Sequence, residues 1–338
     1  MNAPSKSTPA SATLLLSRSD VAAVVDPESC IAAVEAAFRA HAEGRARGPA
    51  SLGVMTEDGS YHVKAAGLRG TPGYFVAKTN ANFPDNPTRH GLPTIQGVVV
   101  LCDGSNGRLL ALMDSMEITV LRTAAASAVA ARYLARPDSK VATLCGCGAQ
   151  SAAQLRALSR VLPLRRVIAF DLKPGRVGAL AEDLGRDTEL RVEAGTELAA
   201  ALAASDIVVT CTSSHIPFLR REDIRPGTFI AAVGADNPGK SEIEPPLMAA
   251  ATVAADILDQ CATSGDLHHA IAACVMTRAD VHAELADLVT GRKPGRQQAD
   301  EITLFDSTGT ALQDVAAATL AYERALAAGR GRPFDFST

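Results

Sequence analysis

Lys140–Asp171 is KVATLCGCGAQSAAQLRALSRVLPLRRVIAFD, a strand, turn, helix and strand in succession. Val141 to Cys145 is an apolar run of strand length. Gly146-Cys147-Gly148-Ala149-Gln150-Ser151 is a glycine turn, a helical stretch follows, and a second apolar run ends on Asp171. This order is half of a dinucleotide-binding unit. Gly146 lets the chain turn off the strand, and Gly148 lets the backbone approach a pyrophosphate. Ser151 is small where helix and strand must pack closely. The helix then aims its first N–H groups at the phosphates. Asp171 lies 23 residues after Gly148. A carboxylate there accepts hydrogen bonds from both ribose hydroxyls and repels a 2′-phosphate. The reading favours NAD(H) over NADP(H), although Arg165, Arg166, Lys173 and Arg176 lie nearby.

Around this unit, 338 residues leave room for two domains. Apolar content of 47% and charged content of 21% describe a globular chain. A net charge of −4 without a basic block argues against nucleic acid or an anionic membrane surface as partner. The richest apolar run, Thr123 to Ala135, is short and broken by Arg132, so no membrane span is expected. Residues 1–12 form a polar tail, expected to be disordered and without a secretion signal. Seven irregularly spaced cysteines in mostly apolar runs point to free thiols in a reducing cytoplasm. Cys145-x-Cys147 lacks the spacer of a metal pair, and adjacent His268-His269 diverge on a helix, so no metal is expected.

Helical spacing covers Ser29–Ala42. Short strands and turns follow from Leu52, with strands at 61–65, 74–79, 97–101 and 109–114 in an expected antiparallel sheet. A helix over 117–135 leads into the nucleotide-binding half, where strands (191–193, 207–210, 229–233, 253–258 and 301–305) alternate with helices. Helices are expected over 266–276 and 281–290. A last helix, 309–328, returns to the first domain. The expected fold is α/β: a Rossmann-type domain over 139–310, and a smaller α/β substrate and dimerisation domain from 13–138 with 311–338.

Five ordered segments carry a family resemblance: FVAKT at 75–79 with Phe83, Pro84 and Asn86, ITVLRTAA at 118–125, GCGAQS at 146–151, VGADNPGK at 233–240 and TLFDSTG at 303–309. Over roughly residues 14–328 the chain resembles the ornithine cyclodeaminase/μ-crystallin family. The resemblance implies a Rossmann domain, a smaller dimerising domain, and chemistry on an α-amino or α-imino carboxylate beside a nicotinamide. It implies that Arg122 binds the substrate carboxylate, through the paired hydrogen bonds a guanidinium makes. It matches Lys78 to a substrate-binding and catalytic residue. Thr123 is a candidate for the cofactor phosphate, with Gly146, Gly148, Ala149, Gln150 and Asp171 for the rest of the dinucleotide. Lys240 and Ser307 match positions near the nicotinamide. Arg47 matches a second carboxylate-binding arginine, with Arg45 in competition.

Asp236 is the leading catalytic candidate. It sits in a turn after a buried strand, where a carboxylate can stabilise an iminium and pass protons. His62 and Lys64 share one strand face and are candidates for recognising a substrate side chain, as against an ordinary solvated face. Three functions follow in order: an NAD(H)-dependent amino-acid dehydrogenase or imine reductase, a cyclodeaminase releasing ammonia, and a non-enzymatic μ-crystallin-like binder. Asp236 argues against the third. A cyclodeaminase needs an acid for the distal ammonium, for which Glu57, Asp58 and Asp85 are candidates. A homodimer is expected.

Overall fold

The computed structural model describes residues 12–336. The tail expected to be disordered therefore lies outside the described residues, Ala12 apart. The first sheet begins with β1 (Thr13–Leu16), β2 (Ala46–Met55), β3 (Ser60–Leu68), β4 (Tyr74–Asn82), β5 (Ile95–Asp103) and β6 (Leu109–Asp114). The second holds β7 (Val141–Cys145), β8 (Arg166–Phe170), β9 (Arg191–Ala194), β10 (Ile207–Thr210), β11 (Phe229–Ala232), β12 (Thr252–Ala255), β13 (Ala283–Glu284) and β14 (Thr303–Asp306). A last strand, β15 (Arg332–Phe334), returns to the first sheet.

The second sheet runs β13-β12-β14-β11-β10-β7-β8-β9, with every pairing parallel. Its order reverses between β7 and β10, so the crevice at their carboxyl ends is the position where open α/β sheets bind ligands. The inner strands β7, β10, β11, β12 and β14 are buried on both faces almost throughout, which is why they read as continuous apolar runs.

The first sheet runs β15-β1-β6-β5-β4-β3-β2. It is antiparallel from β2 to β6, but β1 joins β6 in parallel, so the sheet is mixed rather than purely antiparallel. The start of β2 is masked in sequence by Gly48-Pro49, where the register shifts between Arg47 and Ala50. In register, Ser51, Lys64, Lys78 and Val99 lie side by side on one face. Leu52, Val63, Thr79 and Val98 lie on the other. The first face is covered by helices Pro27–Ala42, Ser115–Leu134 and Ala311–Ala327. The second leaves Leu52, Val54, Tyr61, Phe75 and Val98 exposed.

Helix Ser115–Leu134 is capped by Asp114, whose side chain accepts from the Glu117 amide. Its middle, Ala124–Ala131, is buried throughout and small enough to pack between both sheets. Two expected helices are shorter than the periodicity suggested. The first stops at Ala272, and over 281–290 strand β13 comes first, with the helix confined to Leu285–Thr290. The capping box of Glu284 and Asp287 starts that helix late.

Candidate active site

Asp314 lies in the first turn of helix Ala311–Ala327, where the helix dipole favours a carboxylate. Its Oδ1 accepts from Lys78 Nζ on β4 at 2.6 Å and lies 3.1 Å from Arg122 Nε. Arg122 Nη1 donates to Gln313 Oε1 at 2.5 Å, and Lys78 Nζ also donates to Thr119 Oγ1 at 3.3 Å. All three charged side chains are buried, at 3%, 7% and 0% exposure for Lys78, Arg122 and Asp314. Sequence reading found Lys78 and Arg122 and missed Asp314. An acid in a long alanine-rich helix looks like an ordinary first-turn residue until the return of that helix is known.

Burial alone would raise the Asp314 carboxyl, but Lys78 and Arg122 outweigh it and hold it below the ordinary value. Burial pulls Lys78 down to about 7, opposed by Asp314 and assisted by Arg122 and Lys64. Removing one member of such a buried group costs about 3–5 kcal/mol, because a desolvated charge is left unpaired. Two cations share one carboxylate here, so the cluster is short of negative charge. Asp314 Oδ2 and Gln313 Nε2 are buried without partners.

Gly309 lets Arg122 into this position. It has φ +75°, and a Cβ there would stand 2.2 Å from Arg122 Nη1. The same loop closes over β3, where Lys64 Nζ donates to the carbonyls of Thr308 at 3.1 Å and Gly309 at 2.6 Å. His62 lies two residues along on the same face, its Nε2 3.0 Å from Ser60 Oγ. Burial holds His62 below its ordinary value, against the pull of Asp236.

Asp236 faces this row from the second sheet, in the turn after β11. Its side chain is 46% exposed and takes a 2.7 Å bond from Lys240 Nζ. The walls of the cleft push its carboxyl up, but Lys240, then Lys64 and His62, keep it below the ordinary value. It is therefore ionised at neutral pH, suited to facing a positive charge. Lys78, poised at about 7, is the better proton donor.

The glycine loop lies at the crevice. Gly146 has φ +96°, and a Cβ there would meet the Cys211 carbonyl at 2.9 Å. Above Gly148 the loop is open, with only Arg176 Nη1 within 4.0 Å of an added Cβ. Helix Ser151–Ser159 begins directly after Gln150, whose buried Oε1 has no partner. Asp171 accepts from the amides of Cys147 at 2.8 Å and Lys173 at 2.7 Å. Burial raises its carboxyl, but those amides and Arg176 hold it below the ordinary value. An open glycine loop, a helix start and an anchored carboxylate at the end of the second strand fit a dinucleotide.

Some candidates are placed differently. Arg47 is exposed and shares the face of Gly67 and Phe75, opposite to Lys78, so it does not join the cluster. Arg45 pairs with Glu43. Thr123 is buried and donates to the Thr119 carbonyl at 2.7 Å. Ser307 is buried and donates to Asp256 Oδ2 at 2.9 Å. Asp58 and Asp85 both pair with Arg89, and Glu57 lies exposed in the turn before β3, so none of these acids reaches the cluster. His269 Nε2 lies 2.7 Å from the Lys240 carbonyl and supports the Asp236 turn.

A family model, the ornithine cyclodeaminase/mu-crystallin family, matches residues 11–329. The chain belongs to this family. An archaeal alanine dehydrogenase dimer with bound NAD is 36% identical, with TM-score 0.90, over 96% of this chain and 99% of that one. The Δ1-pyrroline-2-carboxylate reductase of Thermococcus litoralis, in complex with NADH and L-proline, is 32% identical with TM-score 0.91 over 95% and 99%. The iminosuccinate reductase of Paracoccus denitrificans, in complex with NAD⁺, is 35% identical with TM-score 0.86 over 96% and 100%.

Beneath the Asp236 turn lies a buried acidic layer that sequence reading missed. Glu242 accepts from the Thr212 amide at 2.7 Å, the Thr212 hydroxyl at 2.6 Å and the Gly234 amide at 3.0 Å, tying the loops after β10 and β11 together. Burial, then Asp266, pushes its carboxyl up to about 7. A folded-state value above the unfolded one stabilises at low pH, and that stabilisation is lost as pH rises through about 7. Glu242→Gln removes this titration. The expected outcome is a smaller fall in Tm between pH 5 and pH 8 than in the unaltered protein, followed by circular dichroism. Parallel Tm curves for the two proteins would refute the assignment.

Proposed function

We propose that this chain is an NAD(H)-dependent amino-acid dehydrogenase or imine reductase acting on a small α-amino or α-imino carboxylate. The observation that carries the reading is the half-neutralised cluster of Lys78, Arg122 and Asp314, placed beside the carboxyl-end crevice of a dinucleotide-type sheet. With Lys78 protonated, two cations and one anion leave a single positive charge, which a substrate carboxylate balances. Three related structures, with NAD, NADH and NAD⁺ bound, support the cofactor.

Gly146, Gly148, Ala149 and Gln150 hold the pyrophosphate, and Asp171 takes the ribose hydroxyls. A nicotinamide bound there would supply or accept a hydride at the α-carbon. Arg122 and Lys78 fix the carboxylate, which orients that carbon. The ionised Asp236 stabilises the iminium charge, and Lys78 Nζ exchanges a proton near neutrality. Lys240 keeps Asp236 in place. The absence of Glu57, Asp58 and Asp85 from the cluster weighs against a cyclodeaminase. The open apolar face of the first sheet and the dimer of the related alanine dehydrogenase support a homodimer. Among the described residues no helix is long and apolar enough to cross a membrane. The seven free cysteines support a cytoplasmic location.

Net NADH consumption with 2-keto acids plus ammonia or with cyclic imines is expected, without ammonia release from L-ornithine or L-lysine plus NAD⁺. Ammonia release without net NADH change would replace this reading with the cyclodeaminase. Asp236→Asn is expected to lower kcat by at least about a hundredfold with NADH binding retained, the scale of a group acting on protons and charge. Near-normal turnover would remove Asp236 from the mechanism. Asp171→Ala is expected to relax the discrimination against NADPH, measured as the ratio of kcat/KM for the two cofactors. An unchanged ratio would mean that another residue reads the ribose. Sedimentation equilibrium is expected to give twice the chain mass of 35.0 kDa; a monomer at micromolar concentration would refute the dimer.

A further inference from the structure

Lys64 is a cation that the proposed chemistry leaves unused. It stands directly opposite Lys78 in the register of β3 and β4, on the same sheet face. Like-charged neighbours in this arrangement repel each other. Lys78 is balanced by Asp314, whereas Lys64 donates only to the neutral carbonyls of Thr308 and Gly309. An ammonium has three N–H donors, so one remains. Among the described residues no carboxylate lies within ion-pair distance of Lys64. Lys64 is half-buried, so solvent does not fully screen the charge.

His62 extends this wall. It is half-buried on the same face, aligned with Gly53 on β2 and Asn80 on β4. Opposite stand Asp236 and Lys240, already paired with each other. Lys64, Lys78 and Arg122 put three basic groups on this wall, and each acid that acts on Lys64 is held elsewhere: Asp314 by Lys78 and Arg122, Asp236 by Lys240, and Asp256 by the Ser307 hydroxyl and the Gly309 amide. One substrate carboxylate on Lys78 and Arg122 leaves Lys64 without an ion-pair partner of its own. A distal ammonium on this wall would meet a cation and a histidine, and no free acid.

We infer that Lys64, with His62 beside it, is a subsite for a second carboxylate, so that the preferred substrate is an α-imino or α-amino dicarboxylate. This rests on the oxidoreductase reading above and specifies its substrate class. The first carboxylate sits on Arg122 and Lys78, and the side-chain carboxylate accepts from Lys64 Nζ and His62. In the reducing direction the carbon–nitrogen double bond gains a hydride at carbon from NADH and a proton at nitrogen, giving the amino dicarboxylate and NAD⁺.

The test uses the full chain. Initial rates of NADH oxidation are compared for oxaloacetate plus ammonia, pyruvate plus ammonia, and Δ1-pyrroline-2-carboxylate, with ammonia-free controls. Calorimetry of the NAD⁺-loaded protein compares L-aspartate, L-alanine and L-ornithine. The dicarboxylic imine is expected to exceed the others in kcat/KM by at least about tenfold, as for a hydrogen bond to a charged group, and L-aspartate to bind most tightly. Lys64→Met is expected to reduce that preference by at least about tenfold, and Lys64→Arg to keep most of it. If Lys64→Met does not fold, the preference of the unaltered protein and the effect of His62→Gln on it decide. Preference for pyruvate plus ammonia or the cyclic imine, or an unchanged ratio in Lys64→Met, overturns the subsite and leaves the oxidoreductase reading intact. Absence of NADH oxidation with every imine overturns both.

Discussion

Asp314 is the point on which the site depends. Its carboxylate is fully buried and holds Lys78 from a strand and Arg122 from a helix. Neither cation could remain desolvated in this place without it. The geometry also requires the carboxyl-terminal helix to return across the first sheet and the chain to enter it through the tight turn at Gly309. The arrangement fixes Lys78 and Arg122 against each other, as the proposed alignment of an α-carbon demands.

The two faces of the cleft differ in how they handle charge. On the first-sheet side, cations outnumber acids and burial lowers Lys78 to about 7. On the second-sheet side, Asp236 is open to the cleft, with its charge supported by Lys240. The buried acids Glu242 and Asp266 lie below that side. Asp266 accepts from the amides of Glu242 at 2.8 Å and Ile243 at 3.0 Å, and burial pushes its carboxyl up to about 6. Backbone amides, rather than cations, satisfy this layer, and it fixes the loops that carry Asp236.

Most of the fold was legible because its signals are local. The glycine loop, the apolar runs of the parallel strands and the alternation of β3, β4 and β5 each need only a few consecutive residues. β1, β15 and the start of β2 were not legible. They are short, or are broken by Gly48-Pro49, and they become strands only because a neighbour supplies hydrogen bonds. The same applies to the helix over 285–290, where periodicity alone overran a two-residue strand.

Residue order alone marked a glycine loop with an acid at ribose distance, and a cationic residue in each of two segments that match a family pattern. Those are properties of residue type and spacing. It took the folded chain to show that Asp314 joins Lys78 and Arg122, that Arg47 lies on the opposite face, and that Lys64 stands beside Lys78 without an ion-paired carboxylate of its own. Each of these rests on strand register or on the return of a helix more than 180 residues away in the chain. A charge's partner is set by proximity in space, and proximity across such separations follows from packing.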